Sequence, residues 1–305
     1  MVELEKQKYL YFCLSTIVYS FTLIISSVII YAILKERSLH EPMYILIASL
    51  LFNEIIGSSS FFPKLMIDLI TSSKNISRTE CLIQNLCIST FAVFEMTTFT
   101  IMAYDRYLAI CQPLQYSMLM TSEKVVKIIS WCWGITFVIL VMLLLLTAAL
   151  PLCRDKINNI FCDNMSLIVL SCVNSSNSSL PSAIVFSIYF VTTIVVTAFS
   201  YLRIFFVCMN FSKESRQKAV HTVVTHLLNF SVFLIGVFFV VLRYRLDNVT
   251  LPLTVHVLLS VTPLVFPALF NPLIYGVRTH ALKIRLIQYL WKANLGGKWK
   301  QIHMH

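Results

Sequence analysis

The amino-acid sequence predicts an all-α membrane protein: a bundle of seven transmembrane helices followed by a short amphipathic helix on the inner leaflet. Three observations carry this expectation. Apolar runs of about 20 residues or more recur along the chain, each long enough to cross a bilayer as a helix. Only 12% of the 305 residues are charged, where a soluble globular chain carries about 25%. The period-2 alternation of an outer-membrane barrel is missing, while 58% of the residues are hydrophobic and the mean hydropathy is +0.79.

No cleavable signal peptide stands out. Residues 1–9 are mixed in charge and no small-residue cleavage site follows, so the first span is expected to act as its own insertion signal. The formal net charge of +10 would raise nucleic acid as a partner in a soluble protein. Here the basic residues sit in loops and tail, where orientation and membrane lipid head groups account for them and no nucleic acid is needed. Of the 24 Lys and Arg, 15 fall on the assumed inner side, in agreement with an N-terminus outside.

The first span covers residues 10–34. Its exit, KERSLHEPMY (residues 35–44), is a short basic turn, and Pro42 suits the first turn of the next helix. The second span, residues 43–69, carries Asn53 and Glu54. The third, residues 81–111, carries Glu95, about three helical turns before Arg106. Both acids therefore belong near mid-membrane. An ionisable residue there marks a functional site by default, set against a purely structural hydrogen bond.

The fourth span covers residues 125–150, with Lys124 and Lys127 at its inner end and Trp131 and Trp133 as packing or interfacial anchors. A long outer loop, residues 151–179, follows. The fifth span, residues 180–208, contains Ser200-Tyr201-Leu202-Arg203-Ile204, and the sixth covers residues 219–244. The seventh, residues 251–275, ends in PALFNPLIYG. Pro272 lacks an N–H and clashes with the preceding turn, so Asn271-Pro272 is either a hinge or a static kink. An amphipathic helix over residues 279–291 would turn Lys283 and Arg285 to head groups. The chain reads as one domain, residues 1–291, with a cytoplasmic tail, residues 292–305.

Glu54, Glu95 and Asn271 fall at one depth on spans two, three and seven. Two neighbouring carboxyls cannot both stay charged without a counter-ion. The site is expected to hold either a sodium ion, which three oxygen-bearing side chains plus water would suit, or a shared proton. No other cofactor is indicated.

The chain is organised around residues 102–116, MAYDRYLAICQPLQY. Charges are expensive in hydrocarbon, so Asp105 and Arg106, at the end of a long apolar run, belong at a membrane–water boundary. Taken alone the pair is either a cap at a helix end or an arginine held ready for release. This stretch resembles the third-helix signature of odorant receptors, within the rhodopsin-like G-protein-coupled receptors. LHEPMY (residues 39–44) resembles their first inner loop, with Glu41 as in the fish-type branch. KAVHTVVTH (residues 218–226) and PALFNPLIYG (residues 267–276) extend the resemblance over essentially the whole chain. Departures are Ile25-Ser26 where Gly-Asn is usual, Val223 for a cysteine and Leu234 for an aromatic.

The resemblance implies a plasma-membrane receptor that binds a small odorant and activates a heterotrimeric G protein of the olfactory stimulatory class, raising cyclic AMP. It implies a coupling switch of Asp105, Arg106, Tyr107, Tyr201, His226, Asn271, Pro272 and Tyr275. It places a ligand pocket between the outer halves of spans three, five, six and seven, lined by Ile88, Ser89, Ala92, Val93, Tyr189, Val237, Val241 and Arg245. Ile88 stands where amine receptors carry an Asp, which argues against an amine ligand. Arg245 on the pocket rim would grip an anionic odorant, or else reach head groups or Asp247.

Cys81, Cys153, Cys162 and Cys172 fall in outer positions, and four cysteines allow three connectivities. The resemblance implies Cys81–Cys162 and Cys153–Cys172. Sequons at Asn75, Asn164, Asn174, Asn177 and Asn248 fall in outer segments and are glycosylation candidates, whereas Asn210 and Asn229 lie on the inner side or inside a helix. No HExxH, GxSxG or phosphate loop is present, so no enzyme is expected. A receptor for a lipid or peptide is the nearest alternative. An ion transporter is the more distant one: Glu54 and Glu95 could line an ion path, but the two halves show no self-similarity.

Overall fold

The computed structural model describes residues 8–71, 75–157, 159–173, 175–242 and 253–278. Seven long helices cross the bundle: α1 (Lys8–Lys35), α2 (Pro42–Thr71), α3 (Arg78–Cys111), α5 (Ser122–Ala148), α7 (Ser175–Cys208), α8 (Lys213–Leu242) and α9 (Leu253–Arg278). Two short helices join them, α4 (Pro113–Leu119) inside and α6 (Asn164–Leu170) outside. By length and composition α1, α2, α3, α5 and the Asn177–Cys208 part of α7 can each cross a membrane, while α8 and α9 carry shorter apolar stretches, His226–Val240 and Val261–Tyr275. The amphipathic helix expected over residues 279–291 and the tail lie outside the described residues.

Local chemistry sets the helix ends. Pro42 occupies the first position of α2, where its missing N–H costs nothing and its fixed φ favours the helix. Ser77 opens α3 with a capping box: its hydroxyl accepts from the Glu80 amide at 3.2 Å, and the Glu80 carboxylate accepts from the Ser77 amide at 2.9 Å. Pro113 pushes Gln112 out of the helical region, which ends α3 and starts α4. Thr121 and Asp163 cap α5 and α6 through the amides of Lys124 and Ser166.

Two helices start earlier than the sequence reading placed them. α8 starts at Lys213, not near residue 219, because a helix runs on past the bilayer where water satisfies its polar side chains. α7 likewise starts at Ser175 and carries Pro181 inside it.

α3 is the axis of the bundle. It packs against α2, α5, α7 and α8, while α9 closes the far side against α8, α1 and α2. By contrast α5 buries only Val125, Ile129 and Thr147. Much of its remaining apolar surface is exposed, as lipid-facing surface should be. An inner core joins Leu50 of α2, Phe99 and Met102 of α3, Ile204 of α7 and Phe230 of α8. An outer core joins Phe61, Phe91, Phe161, Phe233 and Leu264. Two disulfides hold the outer loop, Cys81–Cys162 with Cα atoms 5.3 Å apart and Cys153–Cys172 with Cα atoms 5.0 Å apart.

Gly57 lets α2 approach α3. A Cβ there would lie 2.4 Å from Cδ2 of the Phe91 ring, which is itself buried. Gly134 on α5 has nothing within 4 Å of the same atom. Gly57→Ala is therefore expected to cost about 1–3 kcal/mol through overpacking, and Gly134→Ala to cost nothing measurable. Melting temperatures of the two purified variants check this, and equal values would contradict the close approach.

Candidate functional site

At mid-membrane, five buried polar side chains from four helices meet. They are Asn53 and Glu54 of α2, Glu95 of α3, Asn229 of α8 and Asn271 of α9, each 2% exposed or less. The Asn271 amide donates to Glu95 Oε1 at 2.7 Å and also to Glu54 Oε1. Asn229 donates to Asn271 Oδ1. Asn53 donates to Glu95 Oε2 at 3.0 Å and to the Phe91 carbonyl at 2.9 Å. The sequence reading placed Glu54, Glu95 and Asn271 here. It noted Asn53 without a role and set Asn229 aside as a misplaced sequon, although an amide inside an apolar span was itself the signal.

Among the described residues no basic side chain pairs with either acid. Two like charges about 4 Å apart repel by about 4 kcal/mol at an effective dielectric of about 20. Desolvation adds several kcal/mol for each ion. A charge-assisted hydrogen bond returns about 1.5–3 kcal/mol. Double ionisation of an unaccompanied pair therefore loses. Two oxygens in the cluster, Glu54 Oε2 and Asn53 Oδ1, are buried with no hydrogen-bond donor. Such an all-oxygen set fits a hard cation. No group of three or more His, Cys, Asp or Glu suited to a softer metal occurs among the described residues.

At the inner end, Asp105 is fully buried and Arg106 is half-buried beside it, with Nη2 3.6 Å from Asp105 Oδ2. Tyr116 of α4 donates to Asp105 Oδ1 at 2.8 Å. Burial, and then the Asp105 carboxylate, push the Tyr116 phenol well above its ordinary range, so it remains a donor at every physiological pH. This partner for Asp105 was quoted in the sequence stretch but given no role. The Tyr275 hydroxyl lies 3.1 Å from His226 Nε2, and the His226 ring sits edge-on to Phe99. Arg106 Nε, the Tyr201 hydroxyl and His226 Nδ1 are all buried without a hydrogen-bond partner. Tyr107 belongs elsewhere: it packs on the rings of Tyr104 and Phe199, on the α7 side of α3. Pro272 is buried inside α9, which runs on through it.

In the outer half, a cavity of about 350 Å³ lies between α3, α5 and α7. Ser89, Val93 and Tyr189 of the predicted pocket line it. Ile88, Ala92 and Val237 do not; they pack with the aromatic residues of the outer core. The described cavity thus takes in the α3 and α7 side of the predicted pocket and extends it toward α5, while the outer ends of spans six and seven lie outside the described residues. Arg245 and the Val241 side chain lie outside the described residues. Asn75 and Asn177 are exposed, Asn164 lines the cavity, and Asn174 and Asn248 lie outside the described residues.

A seven-helix bundle with a buried polar knot at mid-membrane and a loosely held arginine at its inner end defines a seven-helix membrane receptor. The family model described as "Olfactory receptor" matches residues 12–293. Olfactory receptor 6K3 of Homo sapiens is 32% identical over 278 residues, 90% of this chain and 83% of that protein. Olfactory receptor 11H4 of Homo sapiens is 32% identical over 289 residues, 92% of this chain and 86% of that protein. Olfactory receptor 4B13 of Mus musculus is 31% identical over 284 residues, 90% of this chain and 88% of that protein. The chain belongs to the olfactory receptor family, a family of multi-pass membrane receptors and not of enzymes.

The polar knot generates a test. Asn271→Leu removes the donor shared by two buried carboxyls and is expected to destabilise the purified protein by about 1–3 kcal/mol for each acceptor left bare. An unchanged melting temperature would show that the amide bridge does not hold α9 to α2 and α3.

Proposed function

We propose that this odorant receptor binds its ligand in the outer half of the bundle and couples to a heterotrimeric G protein of the stimulatory class, raising cyclic AMP. In this reading it sits in the plasma membrane with its N-terminus outside and its basic inner surface against anionic lipid. The observation that carries the switch is the state of Arg106. Its one ion pair among the described residues is long, 3.6 Å, and its Nε is buried without a partner. Tyr116 competes for the same carboxylate. A cation held this weakly needs only a small bias to change partners.

At rest Asp105 keeps Arg106 against α3. Outward movement of the inner end of α8 would free Tyr275 from His226 and open the space beside Tyr201. Arg106 would then turn toward the cleft, with Tyr201 and Tyr275 as its new partners. Asn271 and Pro272 lie on the same helix as Tyr275 and link this movement to the polar knot. There, Glu54 Oε2, Asn53 Oδ1 and Glu95 are the groups that would hold a sodium ion. When bound, the ion supplies the positive charge that the two carboxyls lack.

Arg106→Ala is expected to reach the cell surface and bind ligand as wild type does, yet to produce no cyclic AMP in cells that co-express the olfactory stimulatory G protein. Surface labelling and a cyclic AMP reporter measure the two properties separately. Full cyclic AMP output from this variant would refute the switch.

A further inference from the structure

The cavity between α3, α5 and α7 has a tied roof at its outer end and an exposed apolar flank. Its roof is tied at four points. Arg78 Nη2 at the start of α3 donates to the carbonyls of Ala148 and Leu150 at the end of α5, at 2.6 and 3.2 Å. Thr147 of α5 donates to Asn164 Oδ1 of α6 at 2.7 Å. The Cys162 amide donates to Gln84 Oε1 of α3 at 2.9 Å, and Cys162 is disulfide-bonded to Cys81. The flank is different. α5 and α7 each pack on α3 but scarcely touch each other. Ile135 and Ile139 of α5 line the cavity and are also 56% and 39% exposed on the lateral surface. Ile184 and Ile188 of α7, at 50% and 64% exposed, continue the same apolar surface.

The wall also has a definite chemistry. Among the described residues no charged side chain lines it. The hydroxyls are already committed: Thr97 donates to the Val93 carbonyl at 2.8 Å and Thr136 to the Cys132 carbonyl at 2.5 Å, while Tyr189 is bonded to Thr97 and the Val93 carbonyl. Two side-chain amides differ. Asn85 is 3% exposed, and its oxygen accepts from Ser89 at 3.2 Å. The Asn164 oxygen accepts from Thr147. Among the described residues neither amide N–H group has a protein acceptor; Asn85 is buried, Asn164 half-buried, and both line the cavity near its roof. Amide donors that open onto an apolar cavity suit a ligand with an accepting oxygen.

We propose that this cavity is a binding site for a neutral, bilayer-dissolved small molecule with one accepting oxygen, such as an ester, ketone or ether, which comes in between α5 and α7. The accepting oxygen meets Asn85 and Asn164, and the apolar body lies between α5 and α7 down to Thr97. From Asn85 to Thr97 the site is about 18 Å deep along α3. A volume of about 350 Å³ lies at the small end of the usual range for ligand sites. A carboxylate is disfavoured, because among the described residues no cation faces the cavity. The Asn164 side chain belongs to this wall and not to a glycan.

The test uses the full-length protein in phosphatidylcholine nanodiscs and does not depend on G-protein coupling, so it fails or succeeds separately from the signalling reading. The probe is a medium-chain alkyl ester that carries a diazirine, compared with the matching carboxylic acid at neutral pH. Irradiation with the ester should label residues 89–97, where Val93 and Thr97 are buried from lipid, and excess unlabelled ester should abolish this labelling. The acid should not label them. Asn85→Leu should raise the half-saturating ester concentration about 3- to 10-fold, the loss of one hydrogen bond. Asn164→Ala repeats this measurement if Asn85→Leu does not fold. Trp at both Ile135 and Ile139 should lower labelling several-fold while Met142, on the lipid surface, is labelled as before. Labelling that unlabelled ester does not displace, equal labelling by the acid, or labelling indifferent to the tryptophans would overturn the proposal.

Discussion

One amide group, that of Asn271, donates to two buried carboxyls on two other helices, and the mid-section of the bundle depends on it. Hydrocarbon offers neither acid a water molecule, so each must find its partners inside the protein. Asn53 and Asn229 supply the remaining contacts, and together the five side chains join α2, α3, α8 and α9 at one level. The arrangement leaves an electrostatic deficit: two acids, three amides and no paired base among the described residues. That deficit makes the knot responsive. In the reading proposed above, a proton or a sodium ion would complete it and change how firmly α9 is held.

α3 carries this knot, the wall of the outer cavity and the inner arginine along a single axis. Asn85 and Ser89 stand near the roof, Glu95 at mid-depth, and Asp105 and Arg106 at the inner boundary. A shift of α3 or α9 at the level of Glu95 therefore reaches Tyr275 and His226 directly, since Tyr275 lies about one turn beyond Asn271. Phe99, packed against His226, Phe230 and Phe233, couples α3 to α8 at the same height. The buried, unpartnered atoms of Arg106, Tyr201 and His226 sit at the end of this line, where an alternative set of hydrogen bonds costs the resting state least.

Most of the fold was legible because bilayer thickness imposes a length on every span and composition separates spans from loops. The carboxyl pair was legible as well, since Glu54 and Glu95 are conspicuous in apolar surroundings and their depth follows from the helical rise. What escaped was whatever depends on azimuth and on close packing. Hydropathy marks Asn53 and Asn229 as polar but cannot say that they turn toward Asn271. Tyr116 meets Asp105 only because Pro113 bends the chain back under α3. Ser89, Val93 and Tyr189 of the expected pocket do line the described cavity, but its extension against α5, a helix with little buried surface of its own, was not foreseen. Side-chain volumes in three dimensions decide that, and periodicity does not carry them.

The polar knot requires that Glu54 and Glu95 are never ionised together without a companion charge. Infrared spectroscopy of the purified receptor in sodium-free buffer at neutral pH tests it most directly, through the carbonyl stretch that only a protonated carboxyl gives. The expected result is this band in the resting receptor, its loss when Glu54 and Glu95 are both replaced by Gln, and its weakening when sodium is added. A sodium-free receptor without a protonated-carboxyl band, stably folded with both acids ionised, would contradict it.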